Sequence, residues 1–233
     1  MTQEHRSKGS INRERQVLPP KSLSAKAYVF AGCFVVGLLS GCTTGGTPTP
    51  ASINTGSSPS TTAGIRQTDD SGRPLPFTTE FPNRWSINNN GTTYEPCTQV
   101  ADNTVEQFGL QKDSVADVAG SDFQTARGCR WKYADGMSSI AQFVGNIRQP
   151  ERGLDGYKSM NSVGRTWYPD TSINSRRVLV GSTGPGACSV YLQSSDAVVV
   201  TLVSRFEIPP APTEEVCRTA TDFLKATVEQ IPR

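Results

Sequence analysis

Chemistry in this chain is bounded first by its histidine and cysteines. Its one histidine, His5, stands at the very start, so residues 6–233 carry no imidazole. Ser-His-Asp and Cys-His nucleophiles, and histidine-ligated zinc or iron, are excluded from that stretch. What remains is carboxylate chemistry, Lys or Tyr nucleophiles, or an oxygen-only metal site. Glu214-Glu215 invites an acid/base reading, but neighbours on a helix point about 100° apart. Both sit where carboxylates favour the dipole of a helix N-terminus, and they are read as such. The six cysteines include no CxxC pair from which to build a Cys₄ metal centre.

Cys33 and Cys42 belong to one segment, Ala27–Cys42. Its apolar core, Ala27–Leu39, is 13 residues without a charge, too short for a membrane span of about 20 residues and suited to the h-region of a secretory signal. Arg6, Lys8, Arg13, Arg15, Lys21 and Lys26 precede it as a basic n-region, against Glu4 and Glu14. Leu39-Ser40-Gly41-Cys42 has the form of a lipobox. The expectation is a lipoprotein signal peptide over 1–41, cleavage before Cys42, and diacylglycerol on the Cys42 sulfur. That anchor would place the rest on the extracytoplasmic face of the cell membrane, held by at least two acyl chains at about 0.8 kcal/mol per buried CH₂.

The composition shifts after Cys42. Thr43–Ser71 is Thr, Gly, Ser, Pro and Asn with almost no large apolar side chain, which cannot offset its ordering entropy. Residues 42–75 are therefore expected to be the anchored cysteine and a flexible linker, and 76–233 one folded domain. Loss of residues 1–41 removes six basic and two acidic residues, so the net charge moves from +2 to −2. The longest remaining basic pair is Arg176-Arg177, which leaves nucleic-acid binding without an electrostatic footprint.

Cys97, Cys129, Cys188 and Cys217 remain for the exported domain. Four cysteines there imply two disulfides with three possible connectivities. The pairing favoured joins sequence neighbours, Cys97–Cys129 and Cys188–Cys217, each closing a loop of about 30 residues and contributing roughly 3.5 kcal/mol. Around them the spacing predicts a short helix over 97–108, capped by Thr98 or Asp102, with Val100, Val105 and Phe108 on one face. Arg127–Tyr133 alternates Cys129, Trp131 and Tyr133 against Arg130 and Lys132, a strand with one wet side. A turn at Asp135-Gly136 leads to a second strand over 138–147, and 150–161 has helical spacing. Three more strands are read over 177–181, 187–193 and 197–206. Thr213 is read as the cap of a last helix, whose apolar stripe runs from Val216 to Ile231. The loop 162–175 gathers Arg165, Trp167, Tyr168 and Asp170, the candidate ligand contacts, where no regular element obviously buries them. The plainer alternative folds that loop back over the core.

The lipobox, the polar linker, Glu95-Pro96-Cys97, Phe108-Gly109-Leu110, Gly128-Cys129-Arg130-Trp131 and the late cysteine pair stand in an order that resembles the actinobacterial lipoprotein family catalogued as domain of unknown function 3558. The likeness brings no catalytic or ligand-binding residue. The general form is also similar to the two-disulfide extracellular sensor domains of some mycobacterial kinases, which implies an α+β domain. The expected fold is thus a mainly antiparallel sheet of about five strands, with the C-terminal helix packed on one face and a short N-terminal helix nearby. The expected function is that of a non-enzymatic envelope lipoprotein, without cofactor or metal. It would bind a small ligand or protein partner through the opposite sheet face and the 162–175 loop. The alternatives are a carboxylate-dependent cell-wall hydrolase and a solute-binding accessory of a transporter.

Overall fold

The computed structural model describes residues 64–123 and 125–233. The chain divides into two units, Met1–Ser57 and Ser58–Arg233, and all the described residues belong to the second. The expected signal peptide, Cys42 and most of the linker lie outside the described residues.

After Pro96–Gln99 (α1) and Asp102–Gln107 (α2), the chain forms the strands Leu110–Asp117 (β1), Arg127–Tyr133 (β2) and Ser139–Asn146 (β3). Helix α3, Gly153–Met160, is followed by Thr166–Trp167 (β4), Thr171–Ile173 (β5), Arg176–Gly184 (β6), Ala187–Ser194 (β7) and Ala197–Ser204 (β8). Helix α4, Thr213–Thr227, ends the fold. The strands make one antiparallel sheet in the order β1-β2-β3-β8-β7-β6-β4, with β5 also paired to β6.

The sheet has eight strands where five were expected. The additional ones are β1, whose Leu-Gln-Lys-Asp-Ser sequence is an edge strand too polar to alternate, and β4 and β5, two- and three-residue pieces inside the 162–175 loop. The expected helix over 97–108 is two short helices, because Val100 is extended (φ −77°, ψ 119°). Neither Thr98 nor Asp102 caps them: Glu95 accepts from the Cys97 N–H at the start of α1, and Ala101 precedes α2. Thr213 likewise is the first residue of α4, with Pro212 at the N-cap position and no side-chain capping bond.

Both disulfides form as favoured, with Cα atoms 5.1 Å apart in Cys97–Cys129 and 5.0 Å in Cys188–Cys217. The folded unit also reaches into the expected linker. Thr68 bridges to Pro74, Asp69 is 3% exposed and accepts from Thr98, and Leu75 joins the core.

Helix α4 buries Val216, Ala220, Phe223 and Leu224 against one sheet face. Phe223 meets Phe108 edge-on at 5.1 Å and Trp131 at 6.0 Å. One polar thread crosses this core fully paired. The Tyr94 hydroxyl donates to Gln142 Oε1 (2.6 Å), and Gln142 Nε2 donates to Thr201 and Thr227 (2.9 Å each). The opposite face is covered in part: Leu154 and Tyr157 of α3 and Trp167 of β4 pack on Leu179, Tyr191 and Val198. The rest of that face, over β2 and the Ser139–Ala141 and Leu202–Ser204 parts of β3 and β8, is open.

Candidate functional site

The open half is built by alternation and register. On β2, Cys129 and Trp131 point into the α4 core, so Arg130 and Lys132 stand on the other face. On β3 and β8 the same parity leaves Ser139, Ala141, Phe143, Val200, Leu202 and Ser204 on that face. Pairing lines these up in rows: Arg130, Ala141, Leu202, Ser189 and Gly181 in one, Lys132, Ser139, Ser204 and Ala187 in the next. The small Ala141, Ser139 and Ser204 leave a trough beside the long cations of β2, floored in part by Leu202. Phe206 and Met137 stand at one end, and Val118 and Thr125 of the β1–β2 connection also line it. The groove holds about 650 Å³, within the range of small-molecule sites. Its lining has no carboxylate. Among the described residues neither Arg130 nor Lys132 has an ion-pair partner.

None of the four predicted contact residues lines this groove. Trp167 lies flat over Gly181, where a Cβ would meet its ring at 2.9 Å, and packs on Tyr191 at 5.4 Å. Arg165 stacks over Trp167 (5.5 Å) and Tyr191 (5.2 Å) and donates to the Tyr191 hydroxyl. Tyr157 closes this cluster from α3, and burial pushes its phenol up to about 12. Asp170 is apart, accepting from Lys158 (3.1 Å) and Arg177 (2.7 Å). Burial by itself raises its carboxyl, but those two cations hold it below the usual range. Tyr168 is half-exposed and contributes a backbone bond to Val180. The loop thus folds back over β6 and β7 at Arg165 and Trp167, while Tyr168 and Asp170 stay exposed. Sequence reasoning took Arg130 and Lys132 as an ordinary wet strand face. Their spacing carried the signal, but the partners across β3 and β8 that make the face concave are 7 to 72 residues further along.

A family model described as "Protein of unknown function (DUF3558)" matches residues 37–230. The chain belongs to that family. No curated protein matches it. In this DUF3558 member the residues that carried the likeness serve both faces of β2. Gly128 lies so close to β3 that a Cβ would sit 2.2 Å from the Gln142 carbonyl, Cys129 bonds Cys97, Trp131 packs on Phe223, and Arg130 reaches the groove.

Beside the Pro-Cys opening of this DUF3558 chain lies a buried charge cluster. Glu95 accepts from Arg84 (2.9 and 3.0 Å) and Arg127 (2.9 Å), and Arg84 also donates to Asp117 (2.8 Å). Arg127 donates further to the carbonyls of Asn89, Thr92 and Tyr94. Each group is satisfied within the cluster, and the cluster ties residues 84–95 to β1 and β2. Among the described residues no three His, Cys, Asp or Glu side chains gather as metal ligands would.

Proposed function

We propose that this protein is a non-enzymatic envelope lipoprotein that holds a small ligand or protein partner in the groove on the free face of its sheet. The observation that carries this reading is the groove itself: about 650 Å³, two cations without counter-ions over an apolar floor, and no carboxylate in the lining. Concavity together with unpaired charge is what a binding site requires and a merely solvated sheet face does not. The hydrolase alternative needs two carboxylates facing each other about 5–9.5 Å apart, and the groove supplies none. Anchoring to the cell membrane through diacylglycerol on Cys42 rests on the lipobox and its flanks.

Filling the groove tests the reading. Leu202 lies on its floor, half-buried, and Leu202→Trp should occlude it while the α4 face stays intact. Native mass measurement of the wild-type protein extracted from its own envelope should show a bound species that the variant lacks. A species carried equally by both proteins, or by neither, overturns the groove as the site. Separately, Cys42→Ala should release the protein from the membrane fraction; unchanged fractionation overturns the anchor.

A further inference from the structure

Taking the groove as the binding site, we infer that its ligand is an amphiphile with a phosphate-monoester headgroup and an apolar tail, of the lipid phosphomonoester class. The headgroup end is set by Arg130 and Lys132. They stand two residues apart on the same side of β2, so their Cα atoms are about 7 Å apart, and both long side chains can reach one anion. Together they present two positive charges that no carboxylate of the described residues answers. A phosphate monoester carries about −1.5 to −2 charges at neutral pH, which matches that pair; a fatty carboxylate carries one. Arg130 adds the planar fork suited to bidentate phosphate contact, and Lys132 a compact second charge.

The tail end is set by what lies beyond the cations. Ala141, Leu202 and Phe143 form the floor, and Met137 and Phe206 stand at the rim 64% and 62% exposed. Large apolar side chains gathered at the lip of one concavity mark a surface that something covers. The lining contains no Asn, Gln, Asp or Glu, so it lacks the bidentate amide and carboxylate partners by which proteins grip sugar hydroxyls or nucleobases. Only Ser139, Ser204 and Thr125 offer side-chain hydroxyls. A cation pair at one side and a greasy trough from it describe an anionic head and a hydrocarbon tail, with each buried CH₂ contributing about 0.8 kcal/mol.

The test uses the full chain and dodecyl phosphate as probe, below its micelle-forming concentration, with binding read from backbone amide shifts. The expected result is saturable shifts at Arg130, Lys132, Ala141 and Leu202, with affinity at least tenfold above that of dodecanoate, dodecyl maltoside and inorganic phosphate. Arg130→Ser with Lys132→Ser should lose tenfold or more. The charge-conserving swap Arg130→Lys with Lys132→Arg should retain most of the binding, and unchanged melting temperatures would show that both variants fold. Equal binding of dodecanoate or dodecyl maltoside overturns the phosphate head, and equal binding of inorganic phosphate overturns the tail. Tighter binding of hexaglutamate overturns the amphiphile in favour of an acidic peptide. If dodecyl phosphate fails to bind while the envelope-derived species is still lost in Leu202→Trp, the ligand class is wrong and the groove remains the site; if that species is unaffected, the groove reading itself fails.

Discussion

Glu95 holds two guanidinium groups at once, and its removal would leave Arg84 and Arg127, both buried, without their shared anion. A buried charge stripped of its partner costs about 3–5 kcal/mol, so Glu95→Ala should lower the unfolding free energy by that amount in urea titrations with the disulfides intact. Asp69 supplies the pH dependence. Burial alone raises its carboxyl, but hydrogen bonds from Thr98 and from the Arg73 and Ser71 N–H groups, with the Arg73 guanidinium beside it, hold it below the ordinary 3.8. A carboxyl that is more acidic folded than unfolded contributes stability that is complete above the unfolded value and is lost as pH falls through the folded one. Asp69→Asn should therefore cost about 2 kcal/mol at neutral pH. Its gap from wild type should narrow as the pH drops below about 4, which urea midpoints at neutral and acid pH would show.

Helix α4 is the element on which the closed face depends. Phe223 is fully buried between Phe108 and Trp131, and Phe223→Ala should cost about 3–5 kcal/mol through lost transfer energy and the cavity left behind. The Cys188–Cys217 bond pins the same helix to β7. Its replacement by two alanines should cost about 3.5 kcal/mol, close to the entropy released in the unfolded chain. Both losses should appear as lower thermal midpoints with near-native circular dichroism below the transition. On the other face, α3 and β4 cover β6, β7 and the Val198–Val200 end of β8, and this asymmetry leaves the groove open.

At the scale of the whole fold, the boundary lies earlier than composition suggests. Gln67 exchanges two bonds with Thr79, Asp69 accepts from Thr98, and Leu75 is buried. A chain beginning at residue 76 should therefore be less stable than one beginning at residue 64, by about 3 kcal/mol from the Leu75 side chain and the Asp69 bond together. Paired denaturation curves of the two chains would show it. Composition missed the segment because Gln67 and Asp69 hold it by side-chain bonds to Thr79 and Thr98, with local bonds from Arg66, Ser71 and Arg73, and not by an apolar stripe.

Much of the fold was legible because its signals are local. Period-two alternation at 127–133 and 187–193, and the apolar stripe of α4, are properties of neighbouring residues. Proximity along the chain favoured the short-loop disulfides that form, and the missing imidazole follows from composition alone. What the local pattern could not decide was register and coverage. β1, β4 and β5 exist because neighbouring strands supply their hydrogen-bond partners, since their own residues alternate weakly or are too few. Arg165 and Trp167 pack down on the sheet because Tyr191 and Gly181 lie beneath them. Arg130 and Lys132 became the candidate site because β3 and β8, paired by long-range register, placed small residues beside them. The sequence determined which side chains alternate and that four cysteines were available to join; only the tertiary structure determined their pairing and which face stays open, because concavity depends on side-chain size across strands that meet only on folding.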